Sequence, residues 1–137
     1  MLKKNLLLAL LLFAFLSNEP SLSAQAPTPI NYGQNIVGNL PTTASTASFT
    51  TPYAKPGDIF LVRAVPPGLM PLKVELQDSS GQILMEYFAN TNYIVHFFYQ
   101  IPPDGKSGNY KMIVSSTDGL RTGNFCLFLQ RANESPN

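Results

Sequence analysis

Cys126 and His96 are the only thiol and the only imidazole in the chain, so nucleophilic or transition-metal chemistry has to begin with them. A Cys–His pair works when the imidazole lies within hydrogen-bond reach of the thiol. Both residues hold even positions in late alternating segments, "NYIVHFFYQI" and "GNFCLFLQRAN", which would send both to one side. Their surroundings argue against catalysis. His96 is framed by Val95, Phe97 and Phe98, and no glycine-rich turn presents Cys126. A serine nucleophile of the hydrolase type would sit in G-x-S-x-G, which the chain lacks. Zinc takes three or four His, Cys or carboxylate ligands, and one His with one Cys falls short. The carboxylates are scattered, without the paired placement that glycoside hydrolysis needs. The residues therefore predict no enzyme, no metal site and no cofactor.

The compartment is written at the start. Lys3 and Lys4 precede an apolar run from Leu6 to Leu16, and "SLSAQA" follows it. That order is the pattern of a secretory signal peptide, with cleavage expected after Ala24. The run is shorter than the roughly 20 apolar residues a spanning helix requires. No Cys ends it, so a lipid anchor is not expected. Taking 24 residues from 137 leaves 113, enough for one domain. Nine basic and eight acidic side chains lose Lys3, Lys4 and Glu19 with the leader, leaving seven of each. Without a basic stripe, nucleic acid and anionic membrane are poor partners. The destination is the periplasm or the medium, with no integral membrane segment in the mature chain. The lone Cys126 leaves no internal disulfide and opens the way to an intermolecular one.

The elements that must carry these residues all read as strands. Proline and glycine recur at short intervals, and the stretches between them alternate with period two. Residues 25–33 form an extended lead-in, 34–132 the domain and 133–137 a tail. "QNIVGNL" places Ile36, Gly38 and Leu40 on one face. Pro52 puts "PTTASTASFTTPYA" at an edge or a bulge. "DIFLVRAV" sets Phe60, Val62 and Ala64 against Leu61 and Arg63, and "LKVELQD" sets Leu72, Val74 and Leu76 against Lys73, Glu75 and Gln77. "NYKMIVSS" turns Tyr110, Met112 and Val114 one way, and the last segment does the same with Phe125, Leu127 and Leu129. About eight such strands make an all-β, two-sheet antiparallel sandwich of jelly-roll type.

Five of these segments, "GQNIVGNL", "KPGDIFLVRA", "VELQDSSGQIL", "IPPDGKSGNYKMIV" and "TGNFCLFLQRAN", resemble in order the successive strands of the bacterial pre-peptidase C-terminal domain. Gly57, Gly81 and Gly105 fall where that pattern has tight turns. Pro56, Gln77 and Phe125 depart from its usual residues, and Met70–Pro71 is one place out of register. The resemblance implies a non-catalytic accessory unit, here in a free-standing version of a part normally attached to secreted proteases. Related collagenase sandwiches bind collagen and hold calcium in an acidic N-terminal linker. The corresponding "QAPTPINYGQN" has no carboxylate, so that site is not carried over.

One feature is not absorbed by a single core. With Ile101 inward, parity sends Tyr93, Val95, Phe97 and Tyr99 inward, and Ile94, His96 and Phe98 outward; Cys126 and Phe128 are outward by the same count. If the two strands share a sheet, these five residues form an exposed apolar patch for a partner, unless a loop or the lead-in covers them or a bulge reverses the parity. The expected function is a secreted interaction module that binds an extracellular protein or surface polymer. The alternative is a carbohydrate-binding sandwich, for which Trp is absent and Tyr32, Tyr53 and Tyr87 are the tyrosines least tied to the core.

Overall fold

Period-two alternation leaves each strand with one apolar face, and two sheets bury those faces against each other. The computed structural model describes residues 26–133, so the expected signal peptide and most of the tail lie outside the described residues. Nine strands follow in chain order: β1 (Thr28–Pro29), β2 (Gln34–Leu40), β3 (Thr46–Ala54), β4 (Ile59–Val65), β5 (Leu72–Gln77), β6 (Ile83–Phe88), β7 (Val95–Gln100), β8 (Gly108–Ser116) and β9 (Gly123–Arg131). A five-stranded sheet has the order β1-β3-β8-β5-β6, and a four-stranded sheet the order β2-β9-β4-β7. The described residues contain no helix. This is the two-sheet sandwich read from the sequence, with one strand more. The lead-in adds it: β1 pairs parallel to β3, Thr28 opposite Phe49, and Ile30 behind it is buried in the core.

The core takes the faces that alternation assigned. Phe60, Val62 and Ala64 of β4, Leu72, Val74 and Leu76 of β5, Tyr110, Met112 and Val114 of β8, and Phe125, Leu127 and Leu129 of β9 are all buried. Two ring pairs meet edge-on across the interior, Phe49 with Phe125 and Phe60 with Tyr110. Gly38 lies directly opposite Phe125, whose ring occupies the space a side chain there would need; an added Cβ would come within 2.2 Å of it. The glycine is thus a packing requirement, since a bare backbone lets an aromatic from the next strand lie across it.

Irregularities fall where the sequence marks them. The β3–β8 register shifts between Thr50 and Tyr53, around Pro52. The bulge is stitched down from β8: the Tyr110 amide donates to Thr51 Oγ1 (3.0 Å) and Asn109 Nδ2 donates to the Thr51 carbonyl (2.8 Å). Gly57 turns with φ 93°, as its place in "KPGD" predicts. Gly105 sits at a tight turn as read, its amide donating to the Pro102 carbonyl (2.9 Å), but the turn does not use a left-handed backbone there. Its φ is ordinary, and its missing Cβ is what lets the Ile101 side chain approach, 2.7 Å from where that atom would stand.

The strand expected from Asn92 starts only at Val95. Asn90 caps the intervening turn: its Oδ1 accepts from the amides of Asn92 (2.9 Å) and Ile94 (3.2 Å), and its amide donates to the Ile94 carbonyl (2.9 Å). Tyr93 pays for this closure with a φ of 62°, the sole left-handed non-glycine residue among those described.

Candidate functional site

The outer face of the four-stranded sheet is built by three antiparallel pairings that run without a register shift: β2 with β9, β9 with β4, and β4 with β7. Unbroken register preserves parity, so every second side chain of all four strands points away from the core. His96, Phe98 and Cys126 are exposed; Ile94 and Phe128 are half-buried. β7 and β9 do share one sheet, with β4 running between them. Its outward residues Leu61, Arg63 and Val65 therefore occupy the middle of the face.

Cross-strand register gives the layout. One row reads Asn35, Phe128, Arg63, His96. On one side of it lies Val37, Cys126, Val65, with Ile94 continuing the line beyond β7. On the other lies Gln130, Leu61, Phe98. A surface cavity of about 620 Å³ opens over the first two rows, lined by Arg63, Val65, Ile94, His96, Cys126 and Phe128, with Asn35, Leu61 and Asn90 at its margins. Phe98 sits beside it, 60% exposed, its ring tilted against His96 at 5.8 Å between centroids. The Asn90 cap thus does more than end β6: it brings Asn90 and Ile94 to the rim. The lead-in does not cover this face, because β1 and Ile30 pair with β3 in the other sheet.

The arrangement does not make a dyad. Cys126 and His96 share the face, but they stand on strands separated by β4, two strand spacings or about 10 Å apart. The Arg63 side chain, between them, makes no ion pair or hydrogen bond among the described residues, whereas Arg121 pairs with Asp118 and Arg131 lies 4.0 Å from Asp58. No group of three or more His, Cys, Asp or Glu among the described residues gathers as metal ligands do.

Sequence reasoning missed Asn35, Leu61, Arg63, Val65 and Asn90. Leu61 and Arg63 were visibly opposite the core face of "DIFLVRAV"; what was lacking was the strand order that sets β4 between β7 and β9. Of the three candidate sugar-stacking tyrosines, only Tyr53 is exposed. Tyr87 stacks on Phe97 at 3.5 Å with 2° between planes, joining the two sheets, and Tyr32 lies under the Arg131 guanidinium at 4.7 Å. Burial pushes the Tyr87 phenol above its ordinary pKa, with Tyr99 adding to the shift.

Two other surfaces compete for attention. A second cavity of about 610 Å³ lies at the seam between the sheets, lined in part by Ala26, Thr28, Ile36 and Phe49. On edge strand β6, Ile83, Met85 and Phe88 are exposed. That edge carries Glu86 and a register shift between Leu76 and Gln77, devices that discourage pairing with another strand.

No family model matches the chain, and no curated protein does at a significant level. Solved structures do. The pre-peptidase C-terminal domain of a collagenase from Bacillus anthracis superposes with a TM-score of 0.63 at 17% identity, over 82% of this chain and 99% of that one. A periplasmic inhibitor of g-type lysozyme from Aeromonas hydrophila gives 0.52 at 14% identity, over 77% of this chain and 100% of that one. Both likenesses span nearly the whole described domain, and the first has the architecture that the five ordered segments resemble. The chain therefore has the fold of a pre-peptidase C-terminal domain.

Proposed function

We propose that this chain is a non-catalytic binding module, secreted or periplasmic, that holds a protein partner against the outer face of its four-stranded sheet. The observation that carries the reading is the cavity of about 620 Å³ on a four-stranded face in regular register, floored by Phe128, Val65 and Cys126 and rimmed by Ile94 and His96. Apolar side chains held at fixed spacing on a rigid sheet, with polar groups at the margin, are what a protein contact surface requires. The leader pattern of residues 1–24 supports export, and the wide separation of Cys126 from His96 supports a role without covalent chemistry. The sugar reading has less to stand on, since Tyr53 alone of its three tyrosines is open to solvent.

The test is affinity purification of the tagged protein from its native secretome, with three variants in parallel. Leu61→Ser and Phe128→Ser should each lose the captured protein, while Phe88→Ser on the other sheet should retain it. Capture that survives both face substitutions and fails with Phe88→Ser would move the site to β6. Non-reducing electrophoresis of the same samples would show whether Cys126 links the module to a partner or to a second copy.

A further inference from the structure

We infer that the segment seated on this face presents a carboxylate to Arg63 from among apolar side chains; the inference rests on the reading of the face as the binding surface. The outward side chains of β2, β9, β4 and β7 include one arginine and one histidine and no aspartate or glutamate. Arg63 stands at the centre. Phe128 and His96 flank it in its own row, and Leu61 and Val65 flank it along β4. It is the one arginine of the three without an acidic neighbour among the described residues.

A partner that covered the apolar ground around Arg63 would also take the guanidinium out of water. Buried charge is tolerated only when it is paired and hydrogen-bonded. A carboxylate is the matching group, because its two oxygens meet the planar fork of N–H donors. The amide side chains of Asn35 and Asn90 at the margin can hydrogen-bond the partner's backbone without adding charge. The same inventory argues against a second copy of this chain face to face. Such a pair would bring two guanidinium groups onto ground that holds no acid, and like charges facing each other suppress a pairing.

The experiment is selection of a random dodecapeptide library displayed on phage against the purified protein, followed by affinity measurements on synthetic peptides. Wild-type protein should select peptides with Asp or Glu flanked by apolar residues. Replacing that acid by its amide should weaken binding to wild type at least fivefold and leave binding to Arg63→Ala unchanged. Arg63→Glu should instead select Lys- or Arg-bearing peptides. Circular dichroism and thermal midpoints confirm that each variant is folded. The inference is overturned if no peptide is selected, if the selected peptides lack acidic enrichment, or if the amide replacement costs less than fivefold. If Phe128→Ser abolishes peptide binding and Arg63→Ala does not, the face survives as a binding surface without the carboxylate. If neither variant changes binding, the face itself is the wrong surface.

Discussion

The two outer faces of the sandwich solve the same problem differently. On the five-stranded sheet, Ser48, Ile113, Glu75 and Glu86 form one cross-strand row, with Ser115 and Lys73 in the next. The opposed carboxylates Glu75 and Glu86 are both tended: Lys73 Nζ lies 3.1 Å from Glu86, and Gln77 Nε2 donates to Glu75 at 2.7 Å. The exposed large apolar side chains of this sheet are Tyr53 on β3 and Ile83, Met85 and Phe88 on edge strand β6. On the four-stranded sheet the charge is a lone arginine, and Phe128, Leu61, Val65 and Cys126 surround it in the centre. The first face holds acids and bases together and pairs Lys73 with Glu86, whereas the second has no acid in its outward rows. The second leaves its charge and its apolar area for something else to complete.

The comparison breaks first if the outer face is not outer, and two adjacent residues decide that. Phe97 is 6% exposed and stacked on Tyr87, whereas Phe98 is 60% exposed. Phe97→Ala should cost about 3–5 kcal/mol in denaturant unfolding, and Phe98→Ala under about 1 kcal/mol. Equal losses would mean that Phe98 is covered. A smaller effect sharpens the contrast in charge. Lys73→Glu adds a third carboxylate beside Glu75 and Glu86 and should destabilise by about 1 kcal/mol. Arg63→Glu breaks no pair and should stay within about 0.5 kcal/mol. A larger loss for Arg63→Glu would show that the guanidinium already has a structural partner.

Acid titration should separate the sheets next. The β5–β6 turn is held by Asp78, whose Oδ1 accepts from Ser80 Oγ (2.6 Å), the Ser80 amide (2.9 Å) and the Gln82 amide (3.0 Å). The Ser80 hydroxyl, foremost, holds the Asp78 pKa below its ordinary 3.8; burial opposes this, and the backbone amides and Lys106 assist it. A folded-state pKa below the unfolded one gives stability that is present above about pH 3.8 and lost as the pH falls through the lower folded value. Asp78→Asn should flatten that part of the stability–pH curve. The four-stranded outer face has no described carboxylate to contribute to it. The smallest effect is from salt: 0.5 M NaCl should remove a few tenths of a kcal/mol through the exposed Lys73–Glu86 pair.

Much of the fold was legible because alternation is local. In "LKVELQD" the inward trio is apolar and the outward trio polar, so neighbouring residues alone decide the face. In β7 and β9 both faces are greasy, yet their parity was still readable because Ile101 and Phe125 anchor one side. The site was legible only in part. That β4 divides β7 from β9 is a long-range fact of strand order, and no local pattern in "DIFLVRAV" announces which strands flank it. The Asn90 turn was hidden for another reason. "NYIV" continues the alternation of the strand after it, whereas Asn90 and Asn92 are turn formers, and the Asn90 side chain closes a turn through Ile94 with Tyr93 in the left-handed region.

Cys126, the chain's only cysteine, is exposed within the cavity rather than elsewhere on the surface. An environment-sensitive fluorophore joined to that sulfur, with no engineered residue, would put a reporter on the ground a partner must cover. Emission would follow occupancy in a cuvette, and a bulkier adduct at the same atom would act as a plug.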